Sequence, residues 1–174
     1  MDAFECIHTR RSIRSFTDQP VPEDLIEELL KAAMAAPSAR NEQPWHFVII
    51  SEREKLDSIP GFHPYARMAR EAQLGILVCG DLELEKSKGN WPVDCAAATQ
   101  NLLLAARALD LGAVWCGVYP REERMKPFAE LCGLPENIRP FAFIPIGWPA
   151  HPSGRKERYK PERVHYSHWG NHKA

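Results

Sequence analysis

Three arginines surround a single hydroxyl in Arg10-Arg11-Ser12-Ile13-Arg14. A planar guanidinium meets phosphate oxygens in pairs, so this run can surround a phosphate with charge-assisted hydrogen bonds. If the stretch is extended, Arg10, Ser12 and Arg14 face one way and Arg11 the other. Taken alone, such a run reads first as a solvated basic loop. A second candidate is Pro37-Ser38-Ala39-Arg40-Asn41-Glu42-Gln43-Pro44-Trp45. Its backbone and amides could line a pocket, or it is only a helix stop followed by a turn. A third is Gly112-Ala113-Val114-Trp115-Cys116-Gly117-Val118-Tyr119-Pro120, where glycines flanking a short strand permit close approach by a neighbouring element or a flat ligand. Lys156 and Arg158 could add two further cations to a phosphate site, although a charged tail is usually just solvated.

The elements that must position these residues follow from periodicity. A short helix is expected over Ala3–His8. Pro22 is expected as a first helical residue, with Glu23 and Asp24 in the first turn. Leu25, Ile26, Leu29, Leu30, Ala33 and Met34 recur at helical spacing, and Pro37 ends that helix. His46–Ile50 and Leu74–Cys79 read as buried strands, with short helices over Glu52–Ser58 and Pro64–Glu71 between them. Asp94 is expected to cap the longest helix, roughly Cys95–Asp110. That helix is apolar around much of its circumference and therefore needs cover on several sides, at the centre or at a subunit interface. A strand Ala113–Val118, a helix Arg121–Cys132 and a strand through Phe141–Ile146 complete the pattern. Beyond Trp148, four residues (Pro149, Pro152, Gly154 and Pro161) and seven Lys, Arg or His within 151–165 argue for an extended arm needing another surface. Helices alternate with about four strands, a mixed α/β or α+β pattern.

Composition narrows the function classes. At 174 residues and 44% hydrophobic content the chain suits one domain with a real core. A net charge of −1 gives no footing for nucleic acid or an anionic membrane as partner. No apolar run approaches the ~20 residues of a membrane span. Five widely spaced cysteines without a C-x-x-C pair argue against a disulfide framework or structural zinc, and no signal-peptide stretch follows Met1, so a cytoplasmic setting is expected. Cys116 reads as a buried inert thiol sooner than a redox centre. The spacing of His165, His168 and His172 invites a metal reading, but no cysteine or clear carboxylate stands near, and no metal site is expected.

Together, in order and spacing, these motifs resemble the nitroreductase family of FMN-dependent oxidoreductases, in a short form. The resemblance runs from His8 to His165. It rests on RRSIRSF at 10–16, AAPSARNEQPWHF at 35–47, ATQNLLLAA at 98–106, GAVWCGVYP at 112–120, IPIGWP at 144–149 and RVH at 163–165. It implies a single domain over residues 1–174 with an α+β fold: a three-layer α/β/α sandwich around a central mixed sheet. Its C-terminal arm (149–174) would be exchanged across a homodimer.

The resemblance further implies non-covalent FMN at the dimer interface, with NAD(P)H as donor and a small nitroaromatic or quinone as acceptor, in a ping-pong cycle. Arg10, Arg11, Ser12 and Arg14 match positions that hold the phosphate and the pyrimidine side. Pro37, Ser38, Ala39 and Asn41 match a loop brought by the partner chain, with Gln43 beside it. Trp115, Cys116, Gly117 and Val118 match the strand along the flavin ring, and Lys156 and Arg158 match cations closing the phosphate site. No side chain is required as acid, base or nucleophile. Related chemistry (flavin fragmentation, dehalogenation, dehydrogenation) or a non-catalytic flavin sensor fits the same motifs. A helical insertion found in longer members is missing, which leaves residues 60–93 as the only lid material. Within it, Tyr65 and Trp91 are read as packing residues before acceptor contacts.

Overall fold

Asp2 opens the first helix, α1 (Ala3–Thr9), by accepting hydrogen bonds from the Phe4 and Glu5 amides on its carboxylate. The structure is a computed structural model, and it describes residues 1–154 and 156–172. Arg155 and the last two residues of the expected arm lie outside the described residues. After α1 come α2 (Glu23–Met34), β1 (Trp45–Ile50), α3 (Arg53–Ser58) and a 3-10 turn at Pro64–Arg70. Then follow β2 (Leu74–Asp81), α4 (Trp91–Ala108), β3 (Gly112–Ala113), β4 (Cys116–Gly117), α5 (Glu122–Cys132) and β5 (Ile138–Gly147).

The sheet runs β1-β2-β5-β3, with β4 also on β5, and every ladder in it is antiparallel. Among the described residues the one parallel pairing is an isolated bridge, Ser12 to Ala113. Strand alternation assigns the two faces. Ile76, Val78, Ala142, Ile144 and Ile146 pack with α2 and α4, whereas Leu77, Cys79 and Phe143 pack with α3, the Pro64–Arg70 turn and α5. Both faces are covered, giving three layers of the α+β class. Among the described residues no helix is long and apolar enough to cross a membrane.

Three boundaries differ from the sequence reading. Pro22 is the N-cap of α2 rather than its first residue. The long helix starts one turn before Asp94, at Trp91, because Pro92 suits a first turn whose N–H groups lack partners anyway. Asp94 thus sits inside the first turn, its carboxylate free to reach another element. The expected strand Ala113–Val118 is two short pairings. Pro145, opposite the gap at Val114, has no N–H to offer on that side.

Candidate functional site

The Arg10–Thr17 segment is held as a strand-like rail. Ser12 bridges Ala113, the Ile13 amide donates to Ala113 O at 3.0 Å, and the Thr17 amide donates to Trp148 O at 2.9 Å. Gly112 permits this approach, since a Cβ there would fall 2.7 Å from Ile13 Cγ2. The expected alternation holds from Arg11 onward, with Ser12 and Arg14 exposed and Arg11 and Ile13 half-buried, but Arg10, expected on the side of Ser12 and Arg14, is half-buried like Arg11. The root of the arm closes on the same rail, with Ala150 N donating to Ser15 O and Phe16 bridging Pro149. The arm therefore begins on its own protomer.

The rail gathers cations without counter-ions. Burial, then the nearby charges of Arg158 and Arg11, push the Arg10 guanidinium below its usual pKa, although it remains charged. Arg11 donates one bond to Arg10 O at 2.7 Å, yet its Nε and Nη2 are buried with no partner. None of these three arginines forms an ion pair among the described residues. Buried donors are nearly always satisfied in folded proteins, so this cluster fits an anion. Arg158 joins it from the arm, whereas among the described residues no hydrogen bond or ion pair brings the exposed Lys156 there.

The Pro37–Gln43 loop is organised in the opposite manner. Arg40, Asn41 and Gln43 all adopt left-handed backbone, with φ of 52°, 57° and 49°. Such strain persists only where the surroundings over-determine it. Here Ser38 Oγ accepts from Gln43 N at 3.0 Å, Gln43 Nε2 donates to Asn41 Oδ1 at 2.8 Å, and Asp94 Oδ1 accepts from Ala39 N at 3.0 Å. Glu42 binds the next loop through Lys86 N, Ser87 N and Ser87 Oγ. Burial opposes its charge, but those bonds win and hold its carboxyl below the ordinary range. Asn41 and Gln43 are exposed, and Ser38 and Ala39 half-buried.

These two groups lie at opposite ends of α4. Asp94 holds the loop at its start, and Arg107 donates to Thr9 Oγ1, beside Arg10, near its end. Thirteen residues of helix separate them, roughly 20 Å at about 1.5 Å per residue. One protomer thus presents two half-sites, not one assembled site.

Between rail and α5 lies a cavity of about 590 Å³, lined by Trp115, Cys116 and Gly117 together with Arg14, His63, Tyr65, Met68 and others. A Cβ on Gly117 would meet nothing within 4 Å, so the strand leaves open space at that position for a flat ligand. Trp115 meets Phe141 edge-on at 5.5 Å, and Val118 N donates to Phe141 O. Burial pushes the Cys116 thiol up to about 12, so it is protonated and unreactive near neutrality. His63 is fully buried, with Nε2 at 3.0 Å from Gly117 O, where the ring must be the donor. Burial, and then the Arg124 charge, lower its pKa and keep the ring neutral.

A model of the nitroreductase family matches residues 7–77 and 62–148, nearly the whole chain before the arm. The chain belongs to the nitroreductase family. A relative from Methanothermobacter thermautotrophicus, provisionally named NADH dehydrogenase/NAD(P)H nitroreductase, is 49% identical over 97% of this chain and 88% of its own. A crystal structure from Parabacteroides distasonis with the same provisional name superimposes with a TM-score of 0.92 at 41% identity, covering 95% of this chain and 98% of the other. A provisionally assigned nitroreductase from Desulfovibrio desulfuricans, crystallised in complex with FMN, reaches 0.81 at 32% identity over 94% and 96%. The nitroreductase fold expected from the motifs is thereby established.

Arg121 and Arg124 escaped the sequence reading, and His63 and Arg67 entered it only as part of the lid segment 60–93, not as site residues. A signal existed, because Arg121 and Arg124 occupy the electropositive start of α5, where cations are disfavoured unless something needs them. Of the two aromatic candidates, Trp91 is indeed packing: it is buried over Gly80 and against Tyr119 and Phe141. Tyr65 is not, being 73% exposed at the cavity mouth.

Proposed function

We propose that this nitroreductase-family chain is an NAD(P)H-dependent oxidoreductase that binds FMN non-covalently, works as a cytoplasmic homodimer and reduces small acceptors such as nitroaromatics or quinones. The observation that carries the reading is the unopposed Arg10–Arg11–Arg158 cluster with two buried, unpartnered nitrogens on Arg11. A ribityl phosphate supplies the anion that cluster lacks. Bound FMN would accept a hydride equivalent from the nicotinamide and pass electrons on to the acceptor.

The chain's own residues do the rest. Arg10, Arg11, Ser12 and Arg158 hold the phosphate, with Lys156 the weakest member of the set. Arg14 lies at the cavity edge, where its cation favours negative charge developing on the pyrimidine side. Trp115, Cys116 and Gly117 form one wall, with Val118 buried behind it, and the open space at Gly117 keeps that wall flat. The second wall is the partner's Pro37–Gln43 loop, whose strained backbone presents Ser38, Ala39, Asn41 and Gln43 in one fixed shape.

Dimerisation is supported by the half-sites at opposite ends of α4 and by apolar surface left open in one protomer. Phe4 and Ile7 on α1 are exposed, Ile7 lining a groove of about 450 Å³ between α1, α2 and α4, and Val93 is exposed at the start of α4. An outer edge of β1 and an adjacent groove lined by Val21, Ile26, Leu30 and Ile49 suit the extended arm of a second copy. Trp169, 91% exposed on the arm, is the kind of residue such exchange would bury.

The direct experiment is a visible spectrum of protein purified without added cofactor, followed by NADH or NADPH under nitrogen. A yellow protein that bleaches, and recovers on adding a quinone or nitroarene, is the expected result. A yellow protein that no nicotinamide bleaches would make it a flavin-binding sensor instead. A colourless protein that ignores added FMN would overturn the assignment of the arginine cluster.

A further inference from the structure

The cavity beside Trp115–Gly117 carries more positive charge than a cofactor ring requires. Arg14, Arg67, Arg121 and Arg124 all line it, and no carboxylate is among its lining residues. Arg14 belongs to the rail and is assigned to the cofactor. The other three come from two elements, Arg67 from the Pro64–Arg70 turn and Arg121 and Arg124 from the start of α5.

Their states differ in an informative way. Arg124 is pinned: Nη1 donates to Gly117 O at 2.8 Å, and the guanidinium lies 5.4 Å from the Tyr65 ring centroid. That places a fixed cation against the strand that flanks the ring, with its remaining N–H groups in no hydrogen bond among the described residues. Among the described residues Arg67 is exposed and in no ion pair, and Arg121 has only a long, exposed contact with Glu123 at 3.6 Å. Exposed pairs of that kind contribute little and exchange readily. His63, held neutral, adds no further charge. A cavity of one sign with apolar walls (Met68, Val114, Trp115) concentrates field and favours an anion that also has a flat apolar body.

We propose that Arg67, Arg121 and Arg124 form an oxyanion-recognising subsite beside the flavin, selecting substrates that join a planar reducible ring to a carboxylate or phosphate. Arg124 sets the position, and Arg67 and Arg121 close around the oxyanion as it enters. The inference rests on the flavin reading of Trp115–Val118, but the arginines can be tested apart from it.

The test compares wild type with the double variant Arg67→Gln/Arg121→Gln, leaving Arg124 in place because it supports Gly117. With flavin-loaded protein and NADH, kcat/KM is measured for 4-nitrobenzoate and for 4-nitrobenzamide at two salt concentrations. A second arm compares NADPH with NADH, which asks whether the recognised oxyanion belongs to the donor. A third, independent of turnover, titrates benzoate and benzamide calorimetrically into flavin-free and flavin-loaded protein. The more negatively charged member of a pair should be preferred by about tenfold at low salt, and the double variant and added salt should each remove most of that preference. Loss in the nitrobenzoate or benzoate pair assigns the oxyanion to the acceptor, and loss in the nucleotide pair assigns it to the donor. A ratio between the more and the less negatively charged member that the double variant leaves unchanged in all three arms overturns the subsite. If the protein takes up no FMN, the functional reading fails, while the flavin-free titration still decides the arginines.

Discussion

The Arg10–Arg14 rail and the Pro37–Gln43 loop are built on inverse principles. In the rail the backbone is relaxed and paired with β3 and the arm root, while the side chains are left unsatisfied, Arg11 most of all. In the loop three residues hold left-handed backbone, while Ser38, Asn41, Glu42 and Gln43 are tied into hydrogen bonds. The rail is poised to gain energy from an incoming charge. The loop has spent its polar groups on holding a shape, so it can contribute surface and backbone but little charge. A site that needs both an anion anchor and a rigid flat wall can divide those tasks in this way, one to each end of α4.

The largest expected effect tests the rail. Arg10→Ala should weaken FMN binding by about 10–100-fold, the loss of one charge-assisted contact worth roughly 1.5–3 kcal/mol. Arg14→Ala should weaken it by about tenfold, and neither variant should change the sedimentation coefficient. Full flavin occupancy in either, measured by fluorescence titration, would mean that the rail's charges serve something else. The loop should respond in stability first. Asp94→Ala removes the acceptor for the Ala39 amide and should cost about 1–2 kcal/mol in urea denaturation. Asp94→Asn retains an acceptor while replacing the unpartnered Oδ2, and should cost less. Equal costs would show that the carboxylate charge, not the hydrogen bond, fixes the loop.

A smaller, pH-dependent effect concerns His63 behind Gly117. Burial lowers its folded pKa, so the unfolded chain takes up the proton first. Its contribution to stability is present above the unfolded value of ~6.5 and is lost as pH falls from there toward the folded pKa. Urea midpoints between roughly pH 7.5 and 5 should therefore decline, and His63→Gln should flatten that decline. A slope unaltered by the substitution would assign the acid sensitivity to other groups.

The amino-acid sequence by itself determined the elements and the family. Hydrophobic spacing placed α2, β1, β2 and α5 within a residue or two, because burial on one face imposes a period that the chain carries openly. It also marked the arginine rail, since a local run needs no tertiary partner to be recognised. The helix start at Trp91 and the break in Ala113–Val118 escaped it, as both depend on a proline's effect within a particular register. Only the tertiary structure decided that Arg158 reaches Arg10, that the rail and the loop are separated by the length of α4, and that Arg67, Arg121 and Arg124 share one cavity. Those groups are distant in sequence and gain their common field only when the sheet brings α5, the Pro64–Arg70 turn and β4 side by side. Periodicity reports what each element must bury, whereas an electrostatic site depends on distances between elements, which no local pattern encodes.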